Sequence, residues 1–135
     1  MAALPLNTFK TKTTVLGTFT NSTSTTATYI VYTAPVGVTS IILMTQVANL
    51  DSTGTHAITF AHRRNIPILP NAQGTGGQPA NITTELVKDF LIPPNDAGSL
   101  TTGKMIIEQL DSVWCYADAE NVCKLTISVL ETANA

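Results

Sequence analysis

The sequence predicts an all-β chain: a single antiparallel β-sandwich, jelly-roll or immunoglobulin-like, of seven to eight short strands. Three observations predict it. Apolar residues recur at every second position over short stretches, the period of a strand with one buried face. Turn residues separate these stretches at the intervals typical of sandwiches. Threonine, which suits a half-buried pleated surface, is prominent, while charged residues make up only 12%. The 135 residues fit one domain, which at this size folds without a metal or a disulfide.

The elements follow in order. Residues 1–12 have no turn signal and little polarity, and are read as an extended N-terminal arm whose Leu4, Pro5, Leu6 and Phe9 dock on a neighbouring subunit. The sandwich domain is placed at residues 13–135, opening with a Thr-rich strand at 13–20 and a loop at 21–26. A strand at 27–33 stops at Ala34-Pro35-Val36-Gly37. The next, 40–49, starts with Ile41-Ile42-Leu43-Met44, apolar on both faces as a central strand is. After the turn Asp51-Ser52-Thr53-Gly54, strand 55–64 sets Ile58 and Phe60 on one face and Thr59, Ala61 and Arg63 on the other.

Residues 71–81 (NAQGTGGQPAN) are a loop whose glycines match no phosphate-binding pattern. Residues 84–92 fit a strand with Leu86, Phe90 and Ile92 inward, and also a helix bearing Leu86, Val87, Phe90 and Leu91. The strand is favoured, because no cap precedes the segment and its neighbours are strands. Strands at 104–110 and 122–131 complete the set, the last with Cys123, Leu125, Ile127 and Val129 on one face.

Residues 113–117 and 121–130 read as a hairpin around Asp118-Ala119-Glu120, with Cys115 opposite Cys123. Two reduced core cysteines are favoured over a disulfide, given synthesis in a cytoplasm. The same register turns Val113, Cys115 and Ala117 inward and Trp114 and Tyr116 outward. The two aromatics then serve either as a contact surface for another subunit or a sugar, or as a patch that a loop or the N-terminal arm covers.

Little in the pattern carries chemistry. His56 and His62 lie about 20 Å apart along one strand, too far for one metal, so no metal or cofactor is expected. No serine has an elbow context. The acids Asp89, Asp96, Glu108, Asp111, Asp118 and Glu120 read as solvated loop-end residues, so the chain is expected not to be an enzyme. Arg63-Arg64 is the only adjacent basic pair, the net charge is −2, and no apolar run spans a bilayer, so neither nucleic acid nor membrane is expected as a partner. The N-terminus lacks the pattern of a secretory signal. So few charges leave a weakly repelling exterior that favours association.

Three stretches carry a resemblance. They are residues 14–20 (TVLGTFT); residues 32–39 (YTAPVGVT) with the apolar strand that follows and Asn49; and Ile92-Pro-Pro-Asn95 with Gly103-Lys104 and the closing residues 128–131. Together they resemble a loose group of small virion structural proteins of tailed phages, including those of cyanobacteria. The group usually shows a G-D-x-I/V step before the penultimate strand; Leu110-Asp111-Ser112-Val113 keeps the Asp without the Gly. The resemblance implies a sandwich scaffold, assembled in many copies onto a particle built in the host cytoplasm. The favoured expectation is a capsid decoration, or cement, protein that bridges major capsid subunits as a homo-oligomer, a trimer first. A neck, tail or fibre component is the nearest alternative. A carbohydrate-binding module using Trp114, Tyr116 and loop 71–81 is an alternative of another class.

Overall fold

The computed structural model describes residues 7–19, 29–64 and 82–134. Nine strands lie among them: β1 (Asn7–Val15), β2 (Ile30–Thr33), β3 (Val38–Asn49), β4 (His56–Arg64), β5 (Ile82–Ile92), β6 (Ala97–Ser99), β7 (Met105–Ile107), β8 (Ser112–Ala117) and β9 (Cys123–Ala133). All strand pairs are antiparallel, and they form two sheets. One runs β1-β9-β3-β6, with β7 on the same edge of β3 as β6; the other runs β2-β8-β4-β5. Taking β6 and β7 as one interrupted strand gives eight strands in the order of a jelly roll. The first pairs the last, the second pairs the seventh, and so inward, as when one long hairpin is rolled up.

The core lies between the sheets. Phe60, Ile58, Ile42, Val47, Val113, Cys115, Leu125, Ile127 and Val129 are buried there. β9 alternates without a break: its odd-numbered positions 123–131 are buried and its even-numbered ones are not. Ile58 and Phe60 face inward as the alternation predicts. Gly37, at φ +76°, sits in the β2–β3 turn where Val38 N–H reaches Pro35 O at 3.2 Å, a conformation that suits glycine.

Several expectations are corrected. Residues 7–12 are not an arm but the first two-thirds of β1, paired with β9 along its whole length, so the sandwich starts at least at Asn7. β9 is a long central strand whose free edge β1 covers, and that pairing outweighs the weak pattern of 7–12. Leu4, Pro5 and Leu6, and the loops at 21–26 and 71–81, lie outside the described residues. β8 and β9 are not a hairpin. They belong to different sheets, and the turn between them carries the chain across the core, so Cys115 and Cys123 are not cross-strand partners. The strand expected at 104–110 is only β7, because Leu110 takes a left-handed φ of 66° in the turn that follows.

β5 is a strand, as favoured, yet its alternation breaks twice. Opposite Ile58 and Phe60 stand Phe90 and Val87, and opposite Ala61 stands Glu85, so β5 carries an extra residue at two places. Asp89, at φ 53°, marks the first bulge. Phe90 and Ile92 therefore lie against Gly98 of the opposite sheet, and Val87 packs on the core. Leu86, expected inward, is 45% exposed.

Candidate functional site

The outer faces of the two sheets differ. On the β2-β8-β4-β5 sheet, Trp114 and Tyr116 do point away from the core, opposite in parity to the buried Cys115. They are nevertheless not a free aromatic platform, because Trp114 is only 9% exposed. Tyr29 meets its ring edge-on at 4.7 Å, Phe19 lies at 6.3 Å, and Arg63 sits over it at 5.2 Å. Phe19 also packs on Tyr116 at 5.0 Å. The indole N–H donates to Ser112 Oγ at 3.2 Å. The chain itself covers this patch through the segment after β1, the alternative that the alternation left open.

The outer face of the β1-β9-β3-β7 sheet has no such cover among the described residues. The register places Phe9 beside Leu130, Leu130 beside Ile41, and Ile41 beside Ile106, one apolar row across four strands. Phe9 is 73% exposed and Ile106 64%. Around the row stand Thr11, Thr13, Thr39, Thr126, Ser128 and Thr132, the half of each strand that faces water. Of the seven basic and nine acidic side chains in the sequence, Lys124 alone occupies an outward position on β1, β9 or β3. Thus Phe9, among the four residues expected in a subunit contact at the N-terminus, is the one whose place is described. The sequence reading missed Leu130, Ile41 and Ile106, whose shared row needs the register of four strands.

Two polar clusters lie at opposite ends of the sandwich. At one end, His56 Nε2 is 2.8 Å from Asp51 Oδ2 and Nδ1 is 2.7 Å from Asp118 Oδ1. These two carboxylates hold the imidazole pKa above its ordinary value, Asp51 contributing more than Asp118. Asp51 is held well below the usual carboxylate range, first by the Thr53 N–H and then by His56. At the other end, Tyr32 O–H donates to Glu131 Oε2 at 2.5 Å and lies 2.6 Å from Ser40 Oγ, while Lys10 Nζ is 2.9 Å from Glu131 Oε1. Burial favours the neutral acid, but the Tyr32 hydrogen bond and Lys10 together outweigh it and hold Glu131 below its ordinary value. Burial first, and Glu131 second, push the Tyr32 phenol up.

Asp111 is not the solvated turn acid expected: it is buried and 3.2 Å from His62 Nε2. Glu108 faces Arg64 at 3.6 Å. His56 meets Asp51 and Asp118, and His62 meets Asp111, at opposite ends of β4. Among the described residues, no three His, Cys, Asp or Glu side chains are grouped to hold a metal. Burial pushes the thiols of both Cys115 and Cys123 up, which makes them poor nucleophiles. A cleft of about 370 Å³ opens between β5 and the β6–β7 link, lined by Leu86, Val87, Leu100 and Met105 with Lys104 at its rim.

No family model, curated protein or solved structure matches the chain.

Proposed function

We propose that this chain is a non-enzymatic structural subunit of a tailed-phage virion, a capsid decoration protein that binds through the outer face of the β1-β9-β3-β7 sheet. The observation that carries the reading is the apolar row Phe9–Leu130–Ile41–Ile106, set in a Thr-rich and almost uncharged surface. A face with so little charge costs little to dehydrate, and its row supplies the apolar contact that association needs. Threonine hydroxyls around the row can exchange water for a partner's backbone groups. Bound to major capsid subunits only once they are assembled, such a face stabilises the shell by mass action. A trimer about a local threefold axis is the arrangement that suits capsid junctions. The virion setting rests on the resemblance of the three sequence stretches.

The carbohydrate-binding alternative loses its main support, since Trp114 is enclosed by Phe19, Tyr29 and Arg63.

The test is binding of the purified protein to tailed-phage capsids that lack it. Wild-type protein is expected to sediment with them. Ile106→Glu, which replaces an exposed side chain worth about 2 kcal/mol on burial, is expected to lose roughly 30-fold in affinity. Its melting temperature is expected to stay unchanged. Equal binding by Ile106→Glu and wild-type protein would sink the assignment of this face, and no binding to capsids at all would sink the decoration role.

A further inference from the structure

We propose that His56 is a protonation-gated latch: as an imidazolium it ties the β3–β4 turn to the β8–β9 turn through two carboxylates, and on losing a proton it gives up one of those two ties. The geometry requires two N–H donors. Asp51 Oδ2 lies 2.8 Å from Nε2 and Asp118 Oδ1 lies 2.7 Å from Nδ1, and both are carboxylates. A neutral imidazole carries one N–H, so it turns a lone pair on one of them. Neither carboxylate is free to swing away. Asp51 Oδ1 accepts from Thr53 N–H at 2.9 Å and from its hydroxyl at 3.0 Å. Asp118 Oδ2 accepts from Ala57 N–H at 3.1 Å. The ring is only 13% exposed, which limits rescue of the lost contact by water.

The groups around the ring share one sign. The charged groups acting on it are Asp51 and Asp118, and the Cys123 thiol at the head of β9 feels the same two carboxylates. Lys124 follows Cys123 but lies on the outer side of its sheet. Loss of the imidazolium charge therefore leaves an acidic cluster at this end without its central cation. The two carboxylates raise the pKa of the ring, so the latch is fully closed below the ordinary histidine value and is lost as pH rises through the raised one. At the acid limit, Asp51 stays charged well below its ordinary pKa.

The two turns hold more than themselves. Asn49 Nδ2 donates to Gly54 O, Ile92 O and Pro93 O, and Asn95 N–H donates to Asp51 O, so the β5–β6 turn is fixed to the β3–β4 turn. On the other side, Asn121 N–H donates to Leu16 O and Ala117 N–H to Gly17 O. The segment that leads to Phe19, and so to the cover over Trp114, rides on the β8–β9 turn. Leu50 N–H to Val122 O at 2.8 Å and Asp118 N–H to Ala57 O at 3.1 Å keep the two turns joined, so the loss of one ring contact loosens the turn tips while the strands stay paired.

The experiment is a pH titration from 5 to 9.5 of the histidine ring signals by NMR, with amide hydrogen exchange on the same samples. The expected result is a His56 midpoint above the ordinary histidine value. Exchange at residues 51–56 and 117–121, corrected for intrinsic pH dependence, is expected to rise at least tenfold across that midpoint, while the central amides of β3 and β9 keep their protection. His56→Gln should remove the pH dependence. Asp118→Asn keeps the ring and should lower its midpoint, and it gives the same readout if His56→Gln fails to fold. A His56 midpoint at or below the ordinary value, or corrected exchange that is flat with pH at both turns, overturns the latch.

Discussion

Tyr32→Phe probes the polar bridge between the sheets, since Tyr32 belongs to one and Glu131 and Ser40 to the other. The hydroxyl is buried and donates to a carboxylate that is itself mostly enclosed. Deleting a hydrogen bond to a charged group costs about 1.5–3 kcal/mol, and leaving Ser40 without it adds about 1 kcal/mol. The total is about 2.5–4 kcal/mol. A chain of this size loses roughly 4 °C of Tm per kcal/mol, so a fall of roughly 10–16 °C is expected by calorimetry. The pH dependence supplies a second reading. Glu131 has a lowered pKa in the fold, so its contribution is present above its unfolded value and is lost as pH falls through the folded one. Without Tyr32 that pKa moves back up, so the variant should lose less stability on acidification than the wild type. A double-mutant cycle with Glu131→Gln should return a coupling energy of about 1–2 kcal/mol. A Tm drop below about 3 °C with an unchanged acid limb would refute the reasoning.

Three further outcomes are expected. Phe19→Ala strips one ring from Trp114 and Tyr116, so the tryptophan emission should move to longer wavelength with a stability cost of about 1 kcal/mol, whereas an unmoved spectrum would mean that Phe19 does not shield the indole. Cys115 and Cys123 are buried with raised pKa values, so a thiol reagent at neutral pH should modify them only at the rate of unfolding and rapidly in denaturant; fast labelling of native protein contradicts this. A Cβ at Gly98 would lie 2.7 Å from the Phe90 ring, so Gly98→Ala should cost about 1 kcal/mol in chemical denaturation, and Phe90→Leu should recover most of it.

Local alternation made some of this legible and left the rest hidden, for identifiable reasons. β9 could be read almost to its ends because it is central, regular and apolar on one face, and β4 because Ile58 and Phe60 share a face. The same alternation in β9 puts Glu131 in line with Val129 and Ile127, and a carboxylate at an inward position needs a buried partner. That signal was present, and Tyr32 answers it. β5 misled because a bulge changes parity without changing composition, and nothing in Leu86-Val87-Lys88-Asp89 announces it. The β8–β9 link misled because a tight Asp-Ala-Glu turn joins a hairpin in one sheet as readily as it crosses between two. Composition cannot tell which. The inward and outward faces of β8 came out right nonetheless, since parity within a strand does not depend on which strand it pairs.

The edges of the two sheets bear on how such a molecule associates. β5 is bulged twice and carries Glu85, Lys88 and Asp89. β2 has only four residues and a register shift. β6 and β7 are short pieces separated by a link. β1 is long and regular, but Lys10 and Lys12 lie at its positions facing the other sheet, opposite Val129 and Ile127 of β9. Inward charges, bulges and short strands are the devices that keep a sheet from adding strands. With the edges guarded and the outer face over β8 covered by Phe19 and Tyr29, the row from Phe9 to Ile106 is the large apolar surface that the described fold leaves without a counterpart. A sandwich protected on its rims and bare on one face is suited to stack that face on a partner rather than to extend its sheets, and that is the geometry the proposed decoration role calls for.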